Sequence, residues 1–285
     1  MSNRTLDISY KGSSKIENLP IGLETFCCRS NSISKIENLP KDLKSFNCSC
    51  NSVSKIENLP ETVCVFNCTS NRISKIEGLP ETLCVFICNF NRISKIENLP
   101  KGLETFFCGS NSISKIENLP KDLKSFNCGR NSISKIEGLP EGLQTFWCGS
   151  NSISKIEGLP EDLKSFNCDY NCISKIEKLP IGLKTFHCNN RISVIENLPL
   201  GLVNFQFNIQ NVKFVDNVSV ENISFSLKGY SAIKRIQLRM KRRYRLKVAA
   251  AKIIHKGLYN WLWKPEGIVM RIEKRNLRET LGMFQ

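Results

Sequence analysis

From Lys41 to Asn58 the chain sets apolar side chains at Leu43, Phe46, Cys48, Val53 and Ile56 and leaves most positions between them polar. The same arrangement returns every 20 residues, and each unit closes on Leu-Pro, at Pro20, Pro40, Pro60, Pro80, Pro100, Pro120, Pro140, Pro160 and Pro180, then at Pro199, one residue early. Self-similarity this strict predicts a solenoid. Phe46 and Cys48 are two apart, so in an extended segment both face one side while Ser45, Asn47 and Ser49 face the other. Each unit thus predicts one short strand. Leu-Pro removes a backbone donor and biases the preceding residue toward extended geometry, so the return path is expected to be extended or polyproline-like and not helical. Parallel stacking at about 4.8 Å per unit would give a slab on the order of 50 Å long.

A polar column runs through the same units: Asn31, Asn51, Asn71, Asn91, Asn111, Asn131, Asn151, Asn171 and, after the deletion, Asn190. An amide side chain both donates and accepts, so stacked copies can satisfy backbone groups where each strand ends. This column reads as scaffold. The pattern weakens at both ends, with Leu6, Ile8, Ile16 and Leu19 marking a degenerate first coil. Leu202, Phe205, Phe207, Val212, Val215 and Val218 mark a decayed last one. The solenoid is therefore assigned to residues 1–218, about 11 units, with a cap or linker over 219–230.

Residues 231–285 follow another period. Ser231 is an N-cap candidate, and Ile233, Ile236, Met240, Tyr244, Val248, Ala251, Ile254, Leu258 and Trp261 recur at steps of three or four, which predicts an amphipathic helix. Its other face carries Lys234, Arg235, Arg239, Lys241, Arg242, Arg243, Arg245 and Lys247, and Lys264-Pro265-Glu266-Gly267 should end it. A shorter helix is expected from about residue 268 to 281. The basic helix has several readings: a cap docked on the last coils, or a binder of nucleic acid, an anionic surface or a calmodulin-like partner. The stretch Ile236-Gln237-Leu238-Arg239-Met240-Lys241-Arg242 resembles the IQ motif of calmodulin-binding helices.

The repeated unit, x-x-L-x-x-F-x-C-x-x-N-x-I-S-K-I-E-N, resembles the short, 20-residue class of leucine-rich repeat over roughly residues 7 to 218, with Phe and Cys at two Leu positions. It is similar to repeats in secreted effectors of pathogenic bacteria and in repeat proteins of giant DNA viruses. The resemblance implies a horseshoe with a parallel β-sheet on a concave, protein-binding face and an extended convex side, followed here by the C-terminal helical segment. Two departures stand out. The helical hairpin that usually opens the effectors is missing, and the last Cys is Cys188, so the tail has no thiol for the ubiquitin-ligase chemistry that some of them carry. Substrate adaptor in a ubiquitin-ligase system remains an alternative role.

Charge sharpens the division. The net charge is +15, yet residues 1–227 contribute only +2, and residues 228–285, with 16 basic and 3 acidic side chains, contribute +13. With 41% hydrophobic and 24% charged residues, the composition excludes a disordered or collagenous chain. No apolar run approaches the roughly 18 residues of a membrane span, and MSNRTLDISYKG lacks the apolar core of a classical signal peptide. The expectation is an intracellular, cytoplasmic protein.

Nine of the 14 Cys, from Cys28 to Cys188, share one repeat position and read as small core side chains in a reducing compartment. Only Cys48 with Cys50, and Cys168 with Cys172, come near metal-site spacing, so no metal is expected. Cys64 and Cys84 stack in adjacent units, within reach of a disulfide under oxidation. The Lys and Glu of I-S-K-I-E form solvated rows, and Gly-rich phosphate loops are absent. No catalysis and no cofactor are expected.

Recognition in a repeat protein is written where the units differ. Between Phe and Cys the residue runs Cys27, Asn47, Asn67, Ile87, Phe107, Asn127, Trp147, Asn167, His187. Before Phe it is Thr or Ser except at Val65 and Val85, and the second residue after Cys includes Phe90, Arg130 and Tyr170. Val65, Val85, Ile87, Phe90, Phe107 and Trp147 predict an outward apolar stripe, with Tyr170 and His187 further along the same face. Two readings stand: a site for a protein partner, or a surface covered by neighbouring side chains or the C-terminal segment.

Overall fold

The structure is a computed structural model that describes residues 4–195, 198, 199, 201–207, 213 and 214. One short strand per coil builds it: β1 (Thr5–Asp7), β2 (Thr25–Cys27), β3 (Ser45–Asn47), β4 (Val65–Asn67), β5 (Val85–Ile87), β6 (Thr105–Phe107), β7 (Ser125–Asn127), β8 (Thr145–Trp147) and β9 (Ser165–Asn167). Five more follow: β10 (Lys175–Ile176), β11 (Thr185–Cys188), β12 (Val194–Ile195), β13 (Asn204–Phe207) and β14 (Lys213–Phe214). The main sheet has 11 parallel strands in the order β1 through β9, then β11 and β13. A second, three-stranded parallel sheet, β10-β12-β14, runs along the return path of the last coils. The expected solenoid and its extended return path are both present.

Register follows the repeat. Phe46 lies opposite Phe66, 20 residues on, and Phe186 opposite Phe205, 19 residues on. The deletion falls after the strand, where Asn190 stands two residues past Cys188 instead of three. From β2 to β9 each strand buries its central Phe and leaves the residues on either side half-exposed or exposed, as the spacing predicts. Inside, Leu43, Phe46, Cys48, Val53 and Ile56 contribute one fully or nearly fully buried side chain each, and the other coils repeat them as columns. The Phe rings stack from Phe26 to Phe205 with centroids 5.4 to 5.8 Å apart and planes within 12° of parallel. Such aromatic pairs add about 0.5–1.5 kcal/mol each beyond the area they bury.

Leu-Pro starts the turn back into the sheet: the Pro40 carbonyl accepts from Leu43 N at 3.2 Å, which drops Leu43 into the core, and the same bond recurs at Pro60, Pro80 and Pro100. Two residues before each Pro from Pro20 to Pro180 the backbone is left-handed, at Asn38 (φ 58) and Asn58 (φ 56) among others, with Gly78 (φ 62) in the same place. Asn and Gly tolerate that conformation best. Asn38 Nδ2 also donates to Ile16 O of the preceding coil at 3.1 Å.

The polar column is scaffold. Asn71 Nδ2 donates to Cys48 O and Cys68 O, each at 3.0 Å, and Asn71 Oδ1 accepts from Val53 N at 2.9 Å. One side chain thereby joins two coils, and Asn51, Asn91, Asn111, Asn131, Asn151 and Asn171 repeat the arrangement. The nine aligned thiols are buried and free, and burial pushes the Cys28 thiol up to about 12 and those of Cys48, Cys88 and Cys108 well above the ordinary range. They pack as apolar side chains.

The expected linker at 219–230, the helices within 231–285 and the basic residues Lys234, Arg235, Arg239, Lys241, Arg242, Arg243, Arg245 and Lys247 lie outside the described residues.

Candidate protein-binding face

The outer face of the main sheet carries the residues that vary between units. Ile87 lies opposite Phe107 on neighbouring strands, and the Phe107 ring reaches over Asn127 to stack on Trp147 at 6.2 Å between centroids, with 24° between planes. Trp147 remains 41% exposed. That exposure separates it from the core Phe column on the opposite side of the same strands. Val65 and Val85 also lie opposite each other, at the beginning of β4 and β5. His187 stands beyond Asn167, with Nδ1 3.5 Å from Asn167 Nδ2 and its buried Nε2 unpartnered among the described residues. Ile87, Phe107 and Trp147 form one row, and Val85 lies two residues before Ile87 on the same side of β5.

Phe90 and Tyr170 occupy the far side of a groove of about 370 Å3 whose near side includes Trp147. Both are open to solvent, at 55% and 72%. Between the two sides run Gly109, Gly129 and Gly149, one from each of three successive coils. A Cβ on Gly129 would come within 3.2 Å of Gly149 O, and one on Gly149 within 3.1 Å of Asn167 Oδ1, so backbone and amide groups form this floor. The glycines are the part of the site that the sequence reading missed. Their signal was present as three consecutive Gly directly after the core Cys, where other units carry Arg29, Ser49, Thr69, Asn89 or Asp169.

The far rim holds a second feature. Phe90, Arg130 and Tyr170 all have φ 54, the left-handed region that bulky side chains avoid at a cost of about 1–3 kcal/mol each. Four other units place Ser there, at Ser30, Ser70, Ser110 and Ser150, with φ of 54 to 57. Large and small residues therefore alternate along the rim: Phe90, Ser110, Arg130, Ser150, Tyr170.

The polar groups of the groove are mostly committed. Asn127 Oδ1 accepts from Gly129 N at 2.9 Å and Asn89 Oδ1 from Gly109 N at 2.7 Å. Asp169 Oδ1 is held by Asn189 N at 2.7 Å and Asn189 Nδ2 at 3.0 Å. Trp147 replaces the Asn that would have accepted from Gly149 N. Among the described residues, the Gly149 amide, the Trp147 indole and the Arg130 guanidinium have no partner.

Two chemistry-bearing features lie elsewhere. Cys64 and Cys84 are half-buried and free, and a hydrogen bond from the Cys84 thiol to Cys64, which holds its proton in place, is the main reason the Cys84 thiol titrates above its ordinary value. Among the described residues no group of three or more His, Cys, Asp or Glu is placed to hold a metal ion, and no helix is long and apolar enough to cross a membrane.

No protein-family model matches the sequence, and no curated protein matches it. Solved structures do. YopM from Yersinia enterocolitica WA-314 aligns with a TM-score of 0.62 at 22% identity, covering 78% of this chain and 59% of that one. YopM of Yersinia pestis, described as a leucine-rich effector protein, aligns at 0.59 with 23% identity over 74% of this chain and 72% of that one. InlJ of Listeria monocytogenes, whose functional domain is described as including a cysteine ladder, aligns at 0.54 with 24% identity over 68% and 51%. The fold is accordingly a leucine-rich-repeat solenoid like that of these bacterial proteins, and the chain spans 59% of the length of the Y. enterocolitica protein.

Proposed function

We propose that this chain is a non-enzymatic scaffold that binds a protein partner on the outer face of its sheet, with Phe107 and Trp147 as anchors and Ile87, Phe90 and Tyr170 around them. The observation that carries this reading is the Phe107–Trp147 stack, exposed beside a glycine-floored groove. Large aromatic side chains on a rigid surface bind through burial at little cost in conformational entropy, and truncating such an anchor typically costs about 2 kcal/mol or more. Val65, Val85 and His187 extend the same face to either side. The fourteen cysteines, none paired in the structure, support work in a reducing, intracellular compartment.

The test is partner capture by the intact chain and by a Phe107→Ala, Trp147→Ala double variant with an unchanged melting temperature. Capture by the wild type alone supports the reading, and equal capture by both sinks it. The charge of residues 228–285 favours a second, separate activity toward polyanions, through Lys234, Arg235, Arg239, Lys241, Arg242, Arg243, Arg245 and Lys247.

A further inference from the structure

We propose that the glycine-floored groove is a docking site for a proline-rich segment in polyproline II conformation, lying along the solenoid axis between Trp147 and the Phe90–Arg130–Tyr170 rim. This rests on the reading of the outer face as a protein-binding surface and adds the chemistry of what it binds.

Three observations carry it. The first is spacing. Phe90, Arg130 and Tyr170 stand two coils apart, and at about 4.8 Å per coil that is about 9.6 Å between successive large side chains. A polyproline II helix repeats every three residues with about 3.1 Å rise each, so it presents the same side every 9.3 Å or so. The two repeats are of comparable length. An extended β-strand returns to the same side about every 6.8 Å, which falls out of step within one interval. Ser110 and Ser150 leave two slots between the large side chains, one for each successive turn of such a ligand.

The second observation is hydrogen-bonding capacity. Proline offers a carbonyl and no N–H, so a proline-rich segment brings acceptors alone. The Gly149 amide, the Trp147 indole and the Arg130 guanidinium are donors without partners among the described residues, while the Asn and Asp oxygens of the groove already accept backbone bonds. The uncommitted capacity is thus mainly donor. The third is the rim itself. Phe90, Arg130 and Tyr170 take the left-handed turn position that other coils fill with Ser, Cys50 or Tyr10, and here it sets three large side chains along one groove. Flat aromatic walls over a backbone floor suit pyrrolidine rings, which pack on aromatic faces in known proline-reading grooves.

The experiment uses the intact protein, fluorescein-labelled decaproline, a Gly-Ser decapeptide of equal length, and fluorescence anisotropy. A displayed library of random decapeptides is selected on the same protein in parallel. Ser150→Phe closes one slot at a left-handed position where Phe90 shows that Phe can be accommodated, its folding checked by the melting temperature, and Trp147→Ala removes the near wall. Saturable binding of decaproline, with none of the Gly-Ser peptide and a loss of about tenfold or more in each variant at unchanged melting temperature, is the expected result. Decaproline binding that Ser150→Phe leaves unaltered overturns the placement. Failure of decaproline while the library yields proline-poor peptides that need Trp147 overturns the polyproline assignment and leaves the binding face standing. If neither decaproline nor any selected peptide depends on Trp147, both are overturned.

Discussion

Replacing Asn71 by Ala tests what holds one coil to the next. The side chain makes two 3.0 Å bonds to carbonyls, of Cys48 in one coil and Cys68 in its own, and accepts one at 2.9 Å from Val53 N. Each carbonyl keeps a second partner, because Asn51 Nδ2 also reaches Cys48 O and Asn91 Nδ2 also reaches Cys68 O, both at 3.0 Å. The Val53 amide keeps none. A buried donor left unsatisfied costs about 1–3 kcal/mol, and two weakened acceptors add less than that, so the expected loss is about 2–4 kcal/mol. Asn67, four residues earlier, is the internal control: its Oδ1 accepts only from Thr69 N, at 3.0 Å on the half-exposed face, where water can replace it. Asn67→Ala should therefore cost less than about 1 kcal/mol. Urea unfolding followed by circular dichroism measures both, with an unchanged slope showing that the comparison is of stability. Equal losses in the two variants would refute the ladder as the source of coil-to-coil cohesion.

The thiol column predicts a pH dependence. Below about pH 9 the thiols are protonated in both folded and unfolded chains and contribute their full stability; above it the unfolded chain ionises while burial holds Cys28 protonated up to about 12 and Cys48, Cys88 and Cys108 well beyond the ordinary range, so stability falls as pH rises. The urea midpoint should decline from pH 8 to 11, less steeply in a Cys88→Ala, Cys108→Ala variant; identical slopes would contradict this. Native alkylation should modify the exposed Cys172 and spare the nine aligned thiols. Binding to heparin should weaken steeply with added salt and vanish when residues 231–285 are removed, whereas retention by the shortened chain would place the polyanion contact on the near-neutral solenoid.

Much of the fold was legible because a 20-residue period leaves few choices. Phe and Cys two apart can share a buried side only in an extended segment, and Leu-Pro forbids a helical return, so strand, direction and core followed from Phe46, Cys48 and Pro60. The Asn column was legible for the same reason, since its position fixed what it must satisfy. The groove was less so. Phe90 and Trp147 could be named as variable and apolar, but that they face each other across Gly109, Gly129 and Gly149 depends on the turn after each Cys, which the period alone does not describe. The alternation of Ser with Phe90, Arg130 and Tyr170 acquires its meaning only with the left-handed backbone at that position. Val65 and Val85 share the outer face with the aromatic row, at the start of their strands.

The most direct test of the binding face is a photo-crosslinking amino acid at Ile87, beside Phe107, compared with one at Lys135 on the exposed return path, each in the intact chain exposed to cell extract. A discrete adduct at position 87 that disappears with Phe107→Ala and Trp147→Ala, and is missing at position 135, is the predicted result. Matching adducts at both positions, or an adduct at 87 that survives loss of the two aromatic anchors, would contradict it.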